Sequence, residues 1–385
     1  MIYLDYAATT PTDPQVFEAM EPYLLQQYGN PNGKYYIQAM ETKSAVDSAK
    51  EQIANFLKCQ TDELILTSGA SEANNFIIKG IIDATERQPS HIITTQIEHS
   101  SVLATCKYLE KRGWSVTYLP VDNNGQIELS ELQNALTQDT TLVSIGWANN
   151  EIGTLMDIYA IGNVIKNYSK EIFFHTDATQ AVGKIPINFS QTPVDALTLS
   201  GHKFYGPKGI GAAVIKRDRD GILPRITPLI HGGEQEMGLR GGTSAVANIV
   251  GMGKAADIAN KDISSTLKHL EKLYRLLIEE LQKSNISFKV NNFGSDRLFG
   301  IVSLTLYGVS NELIIKTLAN EIAISAGSAC SATKPSHVLS AIGLSKEDIR
   351  STVRVSFGKF SDENEIRNAI KAIENVYERF RVIKS

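Results

Sequence analysis

Four times in this chain an apolar run breaks off into a cluster of polar residues: "LILTSGASEANN" (64–75), "SIGWANNEIG" (144–153), "FFHTDATQ" (173–180) and "LTLSGHK" (197–203). Short apolar runs bounded by turn residues read as buried strands, here expected over 143–147, 172–174, 196–199 and 211–215. Helical patterns at 74–85 and 160–168 lie between or beside them. The alternation predicts a mainly parallel α/β sheet. Open sheets of that kind bind ligands beyond the C-terminal ends of their strands. Asn149, Asn150, Asp177, Gln180, Ser200, His202 and Lys203 are therefore candidate ligand-binding residues. A small-residue turn opening a helix at Ala70 or Ser71 adds free backbone N–H groups and a positive dipole end, which suit a phosphate.

From about Ala255 the pattern changes. Leu267, Leu270, Leu273, Leu277 and Leu281 recur at helical spacing, the strand-like "IVSLTL" follows, and Ile366, Ile370, Ile373, Tyr377 and Phe380 mark a final amphipathic helix. A second, smaller α+β domain is expected, built from residues 1–13 and 259–385 around a large domain of residues 14–258. A length of 385 residues agrees with two or three domains. The net charge of −4 and the lack of a long basic run argue against direct binding of nucleic acid or of an anionic membrane. No apolar stretch approaches the roughly 20 residues of a spanning helix, and Met1-Ile-Tyr-Leu-Asp enters strand-like sequence at once, so a cytoplasmic protein is expected. The three cysteines, Cys59, Cys106 and Cys330, form no C-x-x-C pair, which argues for single-thiol chemistry and against a structural metal site.

Of the two lysines in "LSGHKFYGPKGIG", Lys208 reads as a loop residue between Pro207 and Gly209. Lys203 follows a buried strand within a few residues, beside Ser200 and His202. An amine held there is partly desolvated, which lowers its basicity and lets it condense with an aldehyde. An aldehyde cofactor with a phosphate tail is pyridoxal 5'-phosphate, which needs a lysine, a carboxylate against its ring nitrogen and donors for its phosphate. Lys203, Asp177, and Ser71 with Ser200 and His202 supply all three.

The ordered stretches "YLDYAATTP", "TSGASEANN", "EHSSVL", "NNEIG", "HTDATQAVGK", "SGHKFYGPKGIG", "GLRGGT", "SAGSACS", "PSHVL" and "RVSFGKF" run from Tyr3 to Phe360. Together they resemble the cysteine desulfurases, pyridoxal-phosphate enzymes of the class V aminotransferase group, most of all the type that builds bacterial iron-sulfur clusters. The resemblance implies fold type I of these enzymes: a large domain with a mainly parallel seven-stranded sheet flanked by helices, plus a smaller α+β domain. It implies that Lys203 carries the cofactor and shuttles protons, that Asp177 pairs with the ring nitrogen, that Gln180 bonds the ring oxygen and that His99 stacks on the ring. Ala70, Ser71, Ser200 and His202 would hold the phosphate. Thr243 would reach the phosphate of the other subunit, which implies a homodimer. Asn150 and Arg354 would bind the substrate carboxylate. Cys330, in the small-residue stretch "SAGSACSATKPS", would take sulfur from L-cysteine as a persulfide, release L-alanine and pass the sulfur to an acceptor protein.

The chain departs from the family pattern in three places and in its length. Tyr35 or Tyr36 stands where a histidine is usual, Phe299-Gly300 replaces proline-asparagine, and Pro335 comes early after Cys330. The chain ends at Ser385, short of the extension by which the iron-sulfur type docks its scaffold. DNA phosphorothioation, with DNA reached through a partner, and tRNA thiolation are the alternative pathways. A selenocysteine lyase, an aminotransferase on the same fold, and a catalytically silent scaffold subunit are the alternative functions, the last opposed by the joint presence of Lys203, Asp177 and Cys330.

Overall fold

The structure is a computed structural model that describes residues 1–85, 90–218, 220–294, 296–327 and 335–381. In chain order its strands are β1 (Ile2–Tyr3), β2 (Leu64–Thr67), β3 (His91–Thr95), β4 (Ser115–Leu119), β5 (Thr140–Ser144), β6 (Phe173–Asp177), β7 (Ala196–Ser200), β8 (Gly211–Ile215), β9 (Phe288–Asn291), β10 (Ile301–Leu306), β11 (Ile322–Ala323) and β12 (Thr352–Ser356). Seven of these form one sheet in the order β2-β8-β7-β6-β5-β3-β4. β8 runs antiparallel to both its neighbours, and the other pairs are parallel. The α/β class expected from the sequence is thus the class observed.

Both faces of this sheet are covered, so its central strands β6, β7 and β8 are buried at every position rather than at alternate ones. Successive residues serve opposite layers. Leu64, Leu66, Leu197, Leu199, Ala212 and Val214 face one core, while Ile65, Ala196, Ala213 and Ile215 face the other. The expected strand over 143–147 ends in fact at Ser144. Ile145 and Trp147 still donate to the β6 carbonyls of His175 and Asp177, but the Gly146 N–H is taken by the Glu98 carboxylate at 3.0 Å. A side-chain acceptor has replaced the neighbouring strand, and the ladder stops.

A single helix of 38 residues, Val246–Lys283, joins the two cores. Its first half, rich in glycine and alanine, packs into the large-sheet core, and its second half gives Leu270, Leu273, Leu276, Leu277 and Leu281 to another core. That second core is closed by the antiparallel sheet β12-β10-β9 and by the helix Glu363–Arg381, whose Ile366, Ile370, Ile373 and Tyr377 are buried. Leu4 joins it from the N-terminus, where β1 pairs in parallel with β11. Among the described residues no helix is long and apolar enough to cross a membrane.

Candidate active site

The C-terminal ends of β5, β6 and β7 open into a cavity of about 640 Å³. Ala70, Ser71, His99, Asn150, Asp177, Gln180, Ser200, His202, Lys203 and Arg354 all line it. Asn149 lines it too, so eleven of the thirteen candidate residues read from the sequence share one cavity. Thr243 is exposed and lines a separate groove of about 300 Å³ with Tyr28 and Asn30. Cys330 lies outside the described residues.

Lys203 ends the short 3-10 turn Gly201–Lys203 that follows β7 directly, so its backbone is fixed by the sheet. Its Nζ donates to the carbonyls of Ala7 and Ala8, each at 2.7 Å. These two residues, from "YLDYAATTP", wrap the N-terminus over the lysine, a contact that strand reading alone does not reveal. Asp177 closes β6 and is 8% exposed. Its Oδ2 accepts from Asn74 Nδ2 at 2.7 Å and its Oδ1 from the Thr179 N–H at 2.9 Å. Both donors are neutral, and each carboxylate oxygen keeps a lone pair for a further N–H. A protonated ring nitrogen fits that place.

The other end of the cavity has the chemistry of an anion site. Helix Ala70–Ala84 opens there, and the N–H groups of its first turn have no acceptor within the helix. Gly69 precedes it at φ +155° and ψ 176°, a conformation that side chains do not tolerate well. Glu72 reaches back to the Ser68 N–H at 2.8 Å and pairs with Arg240 Nε at 3.0 Å. Burial raises the Glu72 carboxyl, but these bonds outweigh it and hold it below its ordinary value. The His202 imidazole is pushed down to about 4, first by burial and then by Lys203, Lys208 and Lys184. It is therefore neutral at physiological pH, able to donate a hydrogen bond in a field of positive charge that suits a phosphate. A lysine-bound aldehyde, a ring nitrogen over Asp177 and a phosphate at the helix start fit the residues present.

The remaining walls are partly committed to structure. Gln180 Nε2 donates to the Ala7 carbonyl at 2.9 Å, and its Oε1 accepts from Lys184. Burial, with Lys203 and Arg354 nearby, pushes the Lys184 amine well below its ordinary value. Arg354, 2% exposed on β12, pairs with Asp5 at 2.7 Å and donates to the Asn150 carbonyl at 2.9 Å. Its Nε has no hydrogen-bond partner among the described residues. His99 caps helix Ser100–Glu110 by accepting the Ser101 N–H on Nδ1. Glu98, beside it, is buried. The two described cysteines sit apart from the cavity, and burial pushes both thiols up to about 12. Tyr35 and Tyr36 are exposed and outside the cavity lining.

The chain is similar to known proteins along nearly its whole length. The family model for class-V aminotransferases matches residues 2–368. A cysteine desulfurase IscS of Dictyoglomus turgidum is 41% identical over 385 residues, covering 99% of this chain and 96% of its own. Among solved structures, a NifS-like protein superposes with a TM-score of 0.91 at 36% identity, covering 98% of this chain and 99% of its own. A structure described as SspA in complex with cysteine reaches a TM-score of 0.81 at 37% identity, covering 94% and 100%.

Proposed function

The chain belongs to the class-V aminotransferase family and is a pyridoxal-phosphate-dependent cysteine desulfurase; on that footing we propose how its own residues divide the work. The observation that carries the assignment is the convergence of Lys203, Asp177 and the start of helix Ala70–Ala84 on one cavity. Pyridoxal phosphate, when bound, supplies an electron sink for the pair left at the substrate α-carbon. Lys203 would hold the cofactor and, once the substrate has taken its place, would accept the α-proton on its Nζ. Asp177 keeps the ring nitrogen protonated, Gln180 bonds the ring oxygen and His99 covers the ring face. Ala70, Ser71, Ser200 and His202 hold the phosphate. Arg354, with Asn150, orients the L-cysteine carboxylate, the planar guanidinium being suited to two parallel hydrogen bonds.

Sulfur leaves through Cys330. Its thiolate attacks the substrate sulfur, the carbon–sulfur bond breaks with its electron pair going to the β-carbon, and protonation there, with return of the α-proton from Lys203 to the α-carbon, completes L-alanine. The products are one alanine and a Cys330 persulfide, so atoms and electrons balance without an added oxidant. The thiols of half-buried Cys59 and buried Cys106, held at about 12, are almost wholly un-ionised near neutrality, which favours Cys330 for the role. The persulfide then passes to an acceptor protein.

We further propose a cytoplasmic homodimer divided into a large domain of residues 14–258 and a small one of 1–13 and 259–385. Phe17, Leu24, Leu25, Tyr28, Ile37 and Met40 are large apolar side chains left exposed, and Leu24 and Tyr28 line the same groove as Thr243. A patch of that kind marks a protein interface, and it would present Thr243 to the partner's phosphate site. Purified protein should show a visible cofactor band and form one alanine per sulfur released from cysteine. Lys203→Ala should remove both, and Cys330→Ser should keep the band while losing the persulfide. Persulfide formed by the Cys330→Ser protein at the natural rate would refute the nucleophile, and a monomer in sedimentation would refute the dimer.

A further inference from the structure

Asn74 is fully buried at the centre of a polar chain that the sequence motifs do not explain. Its Nδ2 donates one hydrogen to Asp177 Oδ2 at 2.7 Å and the other to Ser101 Oγ at 2.9 Å. Its Oδ1 accepts from Thr198 Oγ1 at 2.5 Å. The amide has one possible orientation, because turned the other way it would set Oδ1 against a carboxylate oxygen with no hydrogen between them. Thr198 in turn contacts His175 Nε2 at 3.3 Å, and the other nitrogen of that ring meets Ser144 Oγ at 2.9 Å.

The far end of the chain has a direction as well. Ser101 Oγ, having accepted from Asn74, is free to donate to His99 Nδ1 at 2.8 Å, and the Ser101 N–H donates to the same nitrogen at 3.2 Å. With two donors on Nδ1, the neutral imidazole carries its hydrogen on Nε2, the nitrogen left for the cavity. One buried amide thus reaches both groups that face the cofactor ring, Asp177 directly and His99 through Ser101. We propose that Asn74 is a positioning residue that sets the two ring contacts together, holding the Asp177 carboxylate with one hydrogen and, through Ser101, the tautomer and plane of His99 with the other. This rests on the reading of Asp177 and His99 as ring contacts.

The test uses cofactor-loaded protein and two readouts: the pH midpoint of the visible cofactor band, and exchange of the cysteine α-hydrogen in deuterated water. Asn74→Ala should move the midpoint by about one unit, the equivalent of one charged hydrogen bond, and slow exchange about tenfold. Asn74→Leu keeps about the volume while losing both donors without adding a charge beside Asp177, and should do the same. Ser101→Ala breaks only the His99 arm, at a half-buried position, and should slow exchange severalfold with the midpoint unmoved. Natural values for both readouts in either Asn74 variant overturn the proposal. If neither Asn74 variant retains cofactor, Ser101→Ala decides: natural exchange overturns the proposal, and slowed exchange with an unmoved midpoint upholds it. Asp177→Asn separates the two layers of the argument. If it leaves the band unmoved, the site reading itself fails; if it moves the band while Asn74→Ala does not, only the present inference fails.

Discussion

Glu98 offers the sharpest test of the electrostatics around the site. Its carboxylate is buried, accepts the Gly146 N–H on both oxygens at 3.0 Å and the Thr95 hydroxyl at 2.8 Å, and lines the cavity. A Cβ at Gly146 would lie 2.9 Å from Glu98 Oε2, so a side chain there would displace the carboxylate. Burial raises the group, the donors at Gly146 and Thr95 lower it, Asp177 raises it, and the balance leaves it at about 7 against an ordinary 4.5. A folded value above the unfolded one means that the native state holds an extra proton between them. Stability from this group is therefore full below about 4.5 and is lost as pH rises toward 7. About 2.5 pH units at 1.36 kcal/mol each is on the order of 3 kcal/mol. Glu98→Gln keeps the size and an acceptor for Gly146 but cannot ionise. The difference in apparent unfolding free energy between Glu98→Gln and the natural protein, followed by urea denaturation from pH 5 to pH 8, should shift in favour of the variant by roughly that amount. Parallel profiles across the range would refute the assignment of a protonated, buried Glu98.

Arg240→Ala leaves Glu72 unpaired beside the phosphate end of the cavity and should weaken retention of pyridoxal phosphate about tenfold, read by equilibrium dialysis. Gly211→Ala would set a Cβ 2.5 Å from the Leu199 carbonyl oxygen and 2.6 Å from Gly69 Cα, both backbone atoms. It should cost roughly 1–3 kcal/mol in thermal or chemical unfolding and loosen cofactor binding through the displaced Gly69. Arg354→Lys loses the planar fork that now spans Asp5 and the Asn150 carbonyl and should raise the KM for cysteine about tenfold with the cofactor band unchanged. An unchanged KM would remove Arg354 from the substrate site.

What the sequence made legible is what the sheet edge dictates. Asp177, Ser200 and Lys203 follow apolar strands within a few residues, so the period of the strand and the rule for open sheets place them without a structure. The partners that make those residues useful come from far along the chain. Ala7 and Ala8 reach Lys203 across 196 and 195 positions, and Arg240 reaches Glu72 across 168. Asn74 stands inside a stretch read for its helix start, yet its amide serves Asp177, 103 positions away. Such pairings depend on tertiary register, for which local periodicity carries no signal. The long helix shows the same limit from another side. Its composition changes near Ala255, but the backbone continues to Lys283. What changes is the packing distance: a Cβ at Gly253 would lie 2.7 Å from Ala49, whereas farther on large leucines fill the space. Periodicity reveals the apolar face of a helix, not which core will cover it.

The same long-range contacts determine which parts of the chain the site depends on. Lys203, Asp177 and the helix start belong to the large sheet, but Asp5, Ala7 and Ala8 come from the N-terminus and Arg354 from β12. The bridge between Asp5 and Ser356 and the hydrogen bond from the Ala7 N–H to Ser356 Oγ, at 2.9 Å, bind these last two pieces to one another. Arg354 is thus fixed by a chain end and by the Asn150 carbonyl of the large sheet. The wall proposed for the substrate carboxylate therefore depends on three separate parts of the chain, the N-terminus, the large sheet and the C-terminal sheet, and a change at any of their junctions should disturb Arg354 before it disturbs Asp177, which stands on the large sheet alone.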